Sequence, residues 1–222
     1  MKQTAAHDRH NPDLLALLPK EAAHLIEIGC STGALAREYK KLNPACVYSG
    51  VEVDPDYASQ AERYCDTVLV LDIEAADDMF FRLQADTECW IFGDSLEHLR
   101  DPWRVLSRVR GVIPGDGCVV ACIPNMQHWS VQAKLSCGEF RYEDAGLLDR
   151  SHLRWFTRKT IIDMFTAAGF RITSGFPRVF TEPIRDKVLA AIRQMALTIG
   201  ADPDQAASDA TAFQYVIKAV PR

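Results

Sequence analysis

Four carboxylates stand at or next to the ends of short apolar runs, where the edge of a hydrophobic core is expected. They belong to Glu27, Glu52, Asp72 and Asp94. A charge at the edge of a core needs a partner, so folding alone explains this repetition poorly. Close to the first of them, the glycine-punctuated turn 29–33 leads from an apolar run into a helical pattern. A glycine turn followed about 20 residues later by a carboxylate is typical of proteins that bind a nucleotide ribose. The site is therefore predicted to hold an adenosine derivative.

The turn itself argues against a dinucleotide. A pyrophosphate-binding turn reads G-x-G-x-x-G, and its glycines allow the backbone to approach the diphosphate and the helix to approach the strand. Here Gly29 and Gly33 flank Ser31, and Ala36 stands where the last glycine would be when the pattern is counted from Ser31. The carboxylate of Glu27 would repel a phosphate, whereas it would attract an ammonium or sulfonium group. The turn favours a cationic adenosine derivative.

These residues need a scaffold, and the chain alternates apolar runs with helical patterns. Seven runs predict β-strands, at 25–28, 47–52, 67–71, 89–93, 118–123, 171–179 and 212–220. Helices are predicted between them, including 33–42, 74–84 and 157–168, and a short capped helix within residues 1–20. This alternation predicts an α/β fold with a doubly wound, mostly parallel sheet and helices on both faces. In such a sheet, ligands bind beyond the carboxyl ends of the strands.

Composition excludes several classes of partner. The chain has 222 residues, 48% hydrophobic and 25% charged, and one domain over residues 1–222 is expected. Its net charge of −5 argues against nucleic acid or an anionic membrane. The seven cysteines contain no C-x-x-C pair, which indicates reduced thiols and no zinc site. Because neither a signal peptide nor an apolar run near ~18 residues occurs, the chain is predicted to be cytoplasmic.

Four segments match a known set of motifs. They are 27–33, 50–55, 94–102 and 114–117. Together they resemble motif I, motif II, the segment after the fourth strand and the turn before the fifth strand in class I S-adenosylmethionine-dependent methyltransferases. Ser31 replaces the middle glycine of motif I, and Asp116 replaces one glycine of the later turn. The resemblance covers most of residues 20–180. It implies a Rossmann-like methyltransferase fold of seven strands with the last strand antiparallel. It also implies S-adenosyl-L-methionine as the cofactor and S-adenosyl-L-homocysteine as the product.

The resemblance implies a place for each part of the cofactor. Glu52 would accept hydrogen bonds from both ribose hydroxyls, and Asp72 would accept one from the adenine amino group. The adenine would lie between Val53 and Ile73, and the methionine part would lie along the glycine turn, where no side chain intrudes. The predicted cofactor-binding residues are Glu27, Gly29, Cys30, Gly33, Glu52, Val53, Asp72, Ile73, Asp94, Ser95 and Leu96.

Two histidines are candidates for a general base, which is required only if the acceptor must lose a proton. For His98 the alternative is helix-end packing or a cofactor contact. His152 lies in segment 146–157, which is similar to an L-D-x-x-H-x-R-x-F-T signature of many bacterial methyltransferases. A salt-bridge network that orders this loop is the alternative there. We predict His152 and His98 as catalytic residues.

The acceptor is predicted to be a small molecule or a sugar. Aromatic and amide groups at a pocket mouth suit a polyhydroxylated acceptor. The predicted substrate-binding residues are Asn125, His128, Trp129, Arg150 and Arg154. The segment 182–209 forms a helical insertion between the last two predicted strands, longer than the usual connection. It is predicted to cover a sheet edge or to form a homodimer contact, and an active-site lid is the alternative.

Four functions remain open from the sequence. The leading hypothesis is transfer of a methyl group to an oxygen or nitrogen atom of the acceptor, without a metal. The second is a quinone-type O-methyltransferase, in which Glu97 and His98 help to hold a divalent metal. The third is a nicotinamide-dependent oxidoreductase, against which the glycine turn and Glu27 argue. The fourth is a cofactor-binding module without catalysis.

Overall fold

Seven strands form one mixed sheet in the computed structural model, which describes residues 8–222. They are β1 (His24–Ile28), β2 (Val47–Glu52), β3 (Thr67–Val70), β4 (Cys89–Gly93), β5 (Cys118–Pro124), β6 (Phe170–Arg178) and β7 (Gln214–Pro221). The spatial order is β3-β2-β1-β4-β5-β7-β6. Strands β1 to β5 pair in parallel, and β7 pairs antiparallel with both β5 and β6. The predicted fold class is confirmed, and the strand order switches direction between β1 and β4.

Helices connect the strands and cover both faces of the sheet. They are α1 (Pro12–Leu17), α2 (Ala34–Leu42), α3 (Pro55–Ala61), α4 (Asp78–Leu83), α5 (Pro102–Arg110), α6 (Trp129–Ser136), α7 (Arg158–Ala167), α8 (Arg185–Thr198) and α9 (Pro203–Thr211). A 3₁₀ turn covers Leu96–His98. In α1, α3 and α9 a proline occupies the first turn, and the preceding Asn11, Asp54 or Asp202 accepts hydrogen bonds from backbone amides. These capped starts are local signals, because the proline lacks only an amide that would have no intrahelical partner.

The core lies on both faces of the sheet. Along β4, Trp90 and Phe92 join one buried cluster, while Cys89 and Ile91 join another. Successive residues of a strand point to opposite faces, so this alternation assigns one cluster to each face. Helices α5 and α7 contribute to the first cluster, and α1 and α2 contribute to the second. None of the helices within residues 8–222 combines the length and apolar character needed to cross a membrane.

Two α-helices differ from the sequence prediction by more than two residues. Helix α4 begins at Asp78, four residues later than predicted, because Asp77 caps it by accepting a hydrogen bond from the amide of Phe80. The carboxylate of Glu74 is instead turned toward the chain before α5, where it accepts from the amides of Arg100 and Asp101. Helix α6 was not predicted at all, and its residues have a weak amphipathic pattern.

The segment between β6 and β7 carries α8 and α9. These helices pack against each other and against α6, which follows β5. The contact with α6 is a small apolar cluster in which Trp129 packs with Ile192 and Ala210. The insertion therefore lies beside the carboxyl end of β5. In a sheet of this kind, ligands bind at that end of the strands.

Candidate active site

The glycine turn closes tightly between the ends of β1 and β2. Gly29 has a φ of +76°, and its amide donates to the carbonyl of Val51 at 2.8 Å. A Cβ atom on Gly29 would come within 3.2 Å of the Cβ of Ser95. Gly33 has a φ of +77°, and a Cβ there would come within 3.0 Å of the Cα of Ala61. The sequence therefore needs glycine at both positions, for a left-handed backbone and for close approach.

We expect Gly29→Ala to destabilise the protein by about 1–2 kcal/mol, because an L-residue in the left-handed region carries that cost and the new methyl group crowds Ser95. Urea unfolding followed by circular dichroism measures the change. Gly115→Ala is the matched control, since a Cβ on Gly115 meets no atom within 4 Å. Equal stabilities of the two variants would contradict the assigned role of the turn.

Glu52 holds the glycine turn and the start of the next loop together. One carboxylate oxygen accepts from the amide of Ser31 at 2.8 Å. The other accepts from the amides of Val53 at 2.8 Å and Asp54 at 3.0 Å. The residue is 1% exposed. These three hydrogen bonds fix the orientation of the carboxylate beside the turn, and its ribose-binding role stays a prediction.

Glu27 is buried at the end of β1. Its Oε2 accepts a hydrogen bond from the hydroxyl of Tyr48 at 2.8 Å. Burial raises the pKa of Glu27 from 4.5 to about 8, the Tyr48 hydrogen bond opposes this, and the nearby charge of Glu52 adds to it. At pH 7 this carboxyl group therefore keeps its proton in the free protein, and an ammonium group beside it would favour the charged form.

The residues predicted to bind the adenine lie at the ends of β2 and β3. The Asp72 carboxylate accepts from the amide of Glu74 at 2.9 Å, which forms a tight turn just after β3. Ile73 is buried, and Val53 is 57% exposed. The exposed Val53 offers an apolar surface at the end of β2, whereas Ile73 belongs to the buried core, and the sandwich of the adenine between them stays a prediction.

Asp94 and Ser95 follow β4 next to the glycine turn. Asp94 has a left-handed φ of +56°, and its carboxylate accepts from the side-chain amide of Gln214. The hydroxyls of Ser95 and Thr32 are buried without a hydrogen-bond partner within residues 8–222. Buried polar groups in native structures nearly always have partners. Two orphaned hydroxyls beside a bare glycine turn fit the polar methionine end of the predicted cofactor.

Besides Ile73, two more of the predicted cofactor residues direct their side chains into the core. Leu96 is fully buried in the cluster on one face of the sheet. The thiol of Cys30 lies over Gly50, where an added Cβ would come within 2.6 Å of its sulfur atom. Any contact of these two residues with the cofactor is therefore limited to their backbone.

The structure brings His98 and His152 together with Glu97. The two imidazole rings meet edge to face, with centroids 4.9 Å apart. Nε2 of His152 lies 4.0 Å from Oε1 of Glu97. Burial lowers the pKa of His98, and burial together with His98 lowers the pKa of His152 to about 4. Both rings are neutral at pH 7, and His152 alone would be a weak base. The pKa of Glu97 is raised well above its usual range by burial, and further by the charges of Asp94 and Asp149.

The loop that carries His152 is fastened to the 3₁₀ turn through its backbone. The carbonyl oxygen of Glu97 accepts from the amides of Leu153 at 2.8 Å and Arg154 at 3.0 Å. Nδ1 of His98 lies 3.2 Å from the carbonyl oxygen of Ser151. These contacts join segments more than fifty residues apart in the sequence. They place His152 over the 3₁₀ turn.

The residues predicted to bind the acceptor have mainly structural contacts. The Asn125 side chain is fully buried, and its Nδ2 donates to the carbonyls of Asp209 at 2.8 Å and Ala212 at 2.7 Å. His128 caps α6, and burial lowers its pKa to about 4. Trp129 packs against the insertion. These contacts tie the end of β5 to α9, and they favour a structural role over the predicted acceptor contact.

Arg150 and Arg154 are exposed, in contrast to the two histidines. Arg150 pairs with Asp144 at 2.6 Å, and Arg154 donates to the carbonyl of Arg100. Asp149 orders the loop from inside by accepting from the amide of Ser151 at 2.7 Å. The two guanidinium groups therefore remain candidates for acceptor contacts at the protein surface.

Two grooves lie away from the predicted cofactor residues. One of about 330 Å³ runs between α7 and β6, and its lining includes Ile162 and Phe176. The other, of about 240 Å³, lies between α6 and the insertion, and its lining includes Gln132 and Ile192. Neither is lined by a residue predicted to bind the cofactor or to catalyse the reaction. The candidate active site is therefore located by the side chains at the strand ends and not by either groove.

Two residues that the sequence reasoning missed hold predicted carboxylates in place. Tyr48 donates to Glu27, and Gln214 donates to Asp94. The contact of Tyr48 could have been predicted from the sequence, because the hydroxyl of a buried tyrosine needs a partner and the neighbouring strand carries a carboxylate. The contact of Gln214 could not be predicted, since it depends on the position of β7 beside β5.

The fold and the site define a class I S-adenosylmethionine-dependent methyltransferase. A family model described as a methyltransferase domain matches residues 4–174. The chain belongs to this methyltransferase family. The predicted cofactor, S-adenosyl-L-methionine, is the one that this class of enzyme uses. A search of curated proteins found no significant match.

Solved structures of low sequence identity share the fold. A possible histamine N-methyltransferase from Thermotoga maritima is 15% identical, with a TM-score of 0.62 over 95% of this chain and 86% of that one. Magnesium protoporphyrin IX methyltransferase of Synechocystis PCC 6803, with bound S-adenosylhomocysteine, is 12% identical, with a TM-score of 0.58 over 91% and 76%. An O-methyltransferase from neocarzinostatin biosynthesis, in complex with S-adenosylhomocysteine and 1,4-dihydroxy-2-naphthoic acid, is 12% identical, with a TM-score of 0.54 over 95% and 51%.

Proposed function

We propose that this methyltransferase transfers the methyl group to an oxygen or nitrogen atom of a small-molecule or sugar acceptor. The observation that carries the proposal is the position of the carboxylates at the switch in strand order. Glu52 is held against the glycine turn by the amide of Ser31, and Glu27 is buried at the end of the adjacent strand. The net charge of −5 argues against a nucleic-acid acceptor.

The chain's residues would mainly bind and orient the two reactants. Glu52 would hold the ribose, Glu27 would attract the ammonium group, and the backbone around Gly29 would line the methionine part. In the transfer, a lone pair of the acceptor would form the new bond to the methyl carbon, the bond from sulfur would break to leave a neutral thioether, and the proton of the acceptor's O–H or N–H group would pass to water. Such an in-line displacement depends on alignment and exclusion of water more than on acid–base chemistry.

An oxygen acceptor is the form of the proposal that the local geometry supports best. His98 and His152 stand next to the residues predicted to meet the methionine end, and both rings are neutral at pH 7. The O-methyltransferase that shares this fold is bound to a dihydroxylated aromatic acid. Small phenols and sugars with free hydroxyls are therefore the acceptors to screen first.

The first test is isothermal titration of the purified chain with S-adenosylhomocysteine, with NADH as the control ligand. We expect one site per chain with a micromolar dissociation constant for S-adenosylhomocysteine, and no binding of NADH. An assay of S-adenosylhomocysteine release in the presence of small phenols or nucleotide sugars then tests the acceptor class. Binding of NADH, or of neither ligand, would contradict the proposal.

A further inference from the structure

A buried carboxylate without a hydrogen-bond partner lies beside the predicted cofactor site. Glu97 is 1% exposed, and neither of its side-chain oxygens has a hydrogen-bond partner within residues 8–222. A buried charge is costly unless it is paired, hydrogen-bonded or bound to a metal. Glu97 lies on the 3₁₀ turn directly after β4, where packing alone would favour an apolar residue.

Two imidazoles face this carboxylate. One possible ligand atom from each of Glu97, His98 and His152 lies within 4.8 Å of the others. An ion placed between three such atoms would be at most about 2.8 Å from each, whereas bonds from zinc to nitrogen or oxygen are about 2.0–2.2 Å long. Small side-chain rotations would close that difference. Nδ1 of His152 is also buried without a partner.

Hydrogen bonds to the surrounding backbone fix the orientation of the ligand side chains, as metal sites require. The carbonyl of Ser151 can only accept, so Nδ1 of His98 carries the proton in their 3.2 Å contact and Nε2 remains available to bind a cation. His152 is positioned by the two hydrogen bonds from Leu153 and Arg154 to the Glu97 carbonyl. A ligand set drawn from two distant segments is thus held by contacts that do not use the ligand atoms themselves.

We propose that Glu97, His98 and His152 form a binding site for a divalent transition-metal ion such as Mn²⁺, Fe²⁺, Co²⁺ or Zn²⁺. Two neutral imidazoles and one carboxylate are a donor set that these ions prefer, whereas Mg²⁺ and Ca²⁺ favour oxygen ligands alone. Three protein ligands leave further coordination positions for other groups. This assignment differs from the metal-free site of the leading hypothesis, and it adds His152 to the Glu97 and His98 pair of the second hypothesis.

The consequence for catalysis rests on the proposed function. A hydroxyl of the acceptor that binds the ion would release its proton to water more readily, as metal-bound water does. The oxygen lone pair would then form the new bond to the methyl carbon, and the sulfur would keep the electron pair of the broken bond. This chemistry favours acceptors with one or two hydroxyls that can bind a metal.

The test uses the full chain after removal of metals with EDTA. Titration with CoCl₂, followed by visible absorption and calorimetry, is expected to show one ion per chain with an affinity in the micromolar range or tighter. Pulsed electron paramagnetic resonance of the Mn²⁺-loaded protein is expected to detect two imidazole nitrogens. Absence of binding, or a bound ion without imidazole nitrogen, would overturn the site.

The variants Glu97→Gln, His98→Ala and His152→Ala are expected to weaken Co²⁺ binding by roughly 100-fold, because each removes a direct ligand, and loss of an outer partner already costs 10- to 100-fold. His24→Ala is the matched control, since His24 is exposed at the start of β1. Unchanged affinity in all three ligand variants, or an equal loss in His24→Ala, would overturn the site. Should a ligand variant fail to fold, the nitrogen signal of the unmodified protein still decides.

The same samples separate this inference from the proposed function. The metal-free protein is titrated with S-adenosylhomocysteine, and the Co²⁺-loaded protein is titrated again. Metal binding without S-adenosylhomocysteine binding would leave the metal site in place and contradict the methyltransferase proposal. S-adenosylhomocysteine binding without metal binding would overturn the metal site and leave the proposed function in place.

Discussion

Glu52→Ala is expected to weaken the binding of S-adenosylhomocysteine by about 1.5–3 kcal/mol, the usual range for a hydrogen bond to a charged group. This corresponds to an affinity about 10- to 150-fold lower. The loss has two sources. The ribose hydroxyls would lose their predicted acceptor, and the glycine turn would lose the 2.8 Å hydrogen bond that its Ser31 amide donates to this carboxylate. Isothermal titration of both proteins measures the change.

A control for charge and a measurement of folding make this result interpretable. Asp56→Asn removes a nearby exposed carboxylate on α3 and is expected to leave the affinity within twofold. Thermal unfolding without ligand reports how far the loss of three amide contacts destabilises the variant. If Glu52→Ala binds S-adenosylhomocysteine as tightly as the unmodified chain, Glu52 has no part in cofactor binding.

Most of the scaffold could be predicted because its signals are local. Buried parallel strands such as β4 and β5 are nearly continuous apolar runs, and helix starts such as Asp54-Pro55 carry their own capping groups. The glycine turn could be located for the same reason, since a left-handed φ and a close approach both demand glycine. The antiparallel direction of the last strand came from the resemblance to a known family.

The contacts on the side where the acceptor is proposed to bind could not be predicted, because they depend on tertiary structure. Glu97 and His152 are brought together by a loop that is fastened to the 3₁₀ turn through backbone hydrogen bonds, which any sequence could form. Asn125 has the residue type of a substrate contact, but its amide is used to hold the insertion. Polar residues near a strand end can serve either the ligand or the fold, and only their neighbours distinguish the two.

Glu27→Gln is expected to stabilise the protein at alkaline pH by up to roughly 5 kcal/mol. The pKa of Glu27 is about 8 in the folded chain, against 4.5 for an ordinary glutamate. Between pH 4.5 and pH 8 the folded state therefore keeps a proton that the unfolded state has lost. The free energy of unfolding consequently falls as the pH rises through this range. The difference of about 3.5 in pKa corresponds to roughly 5 kcal/mol of stability, and the whole of this loss is present above pH 8. Glutamine can still accept from Tyr48 and carries no charge.

Urea unfolding at pH 5 and pH 9 measures this effect, with Glu21→Gln, an exposed position before β1, as the control. The stability gain from Glu27→Gln should be small at pH 5 and large at pH 9. A gain that is equal at both pH values would show that the buried carboxyl group does not titrate in this range. The control should show little dependence on pH.

The same carboxyl group should link cofactor binding to proton release. An ammonium group beside Glu27 favours its charged form, so at pH 7 the predicted contact would expel the proton that burial retains. Titrations with S-adenosylhomocysteine in two buffers of different ionisation enthalpy should then give different apparent heats, and Glu27→Gln should abolish the difference. The free energy that burial of this carboxyl group costs the free protein would thus be offset when the cation binds.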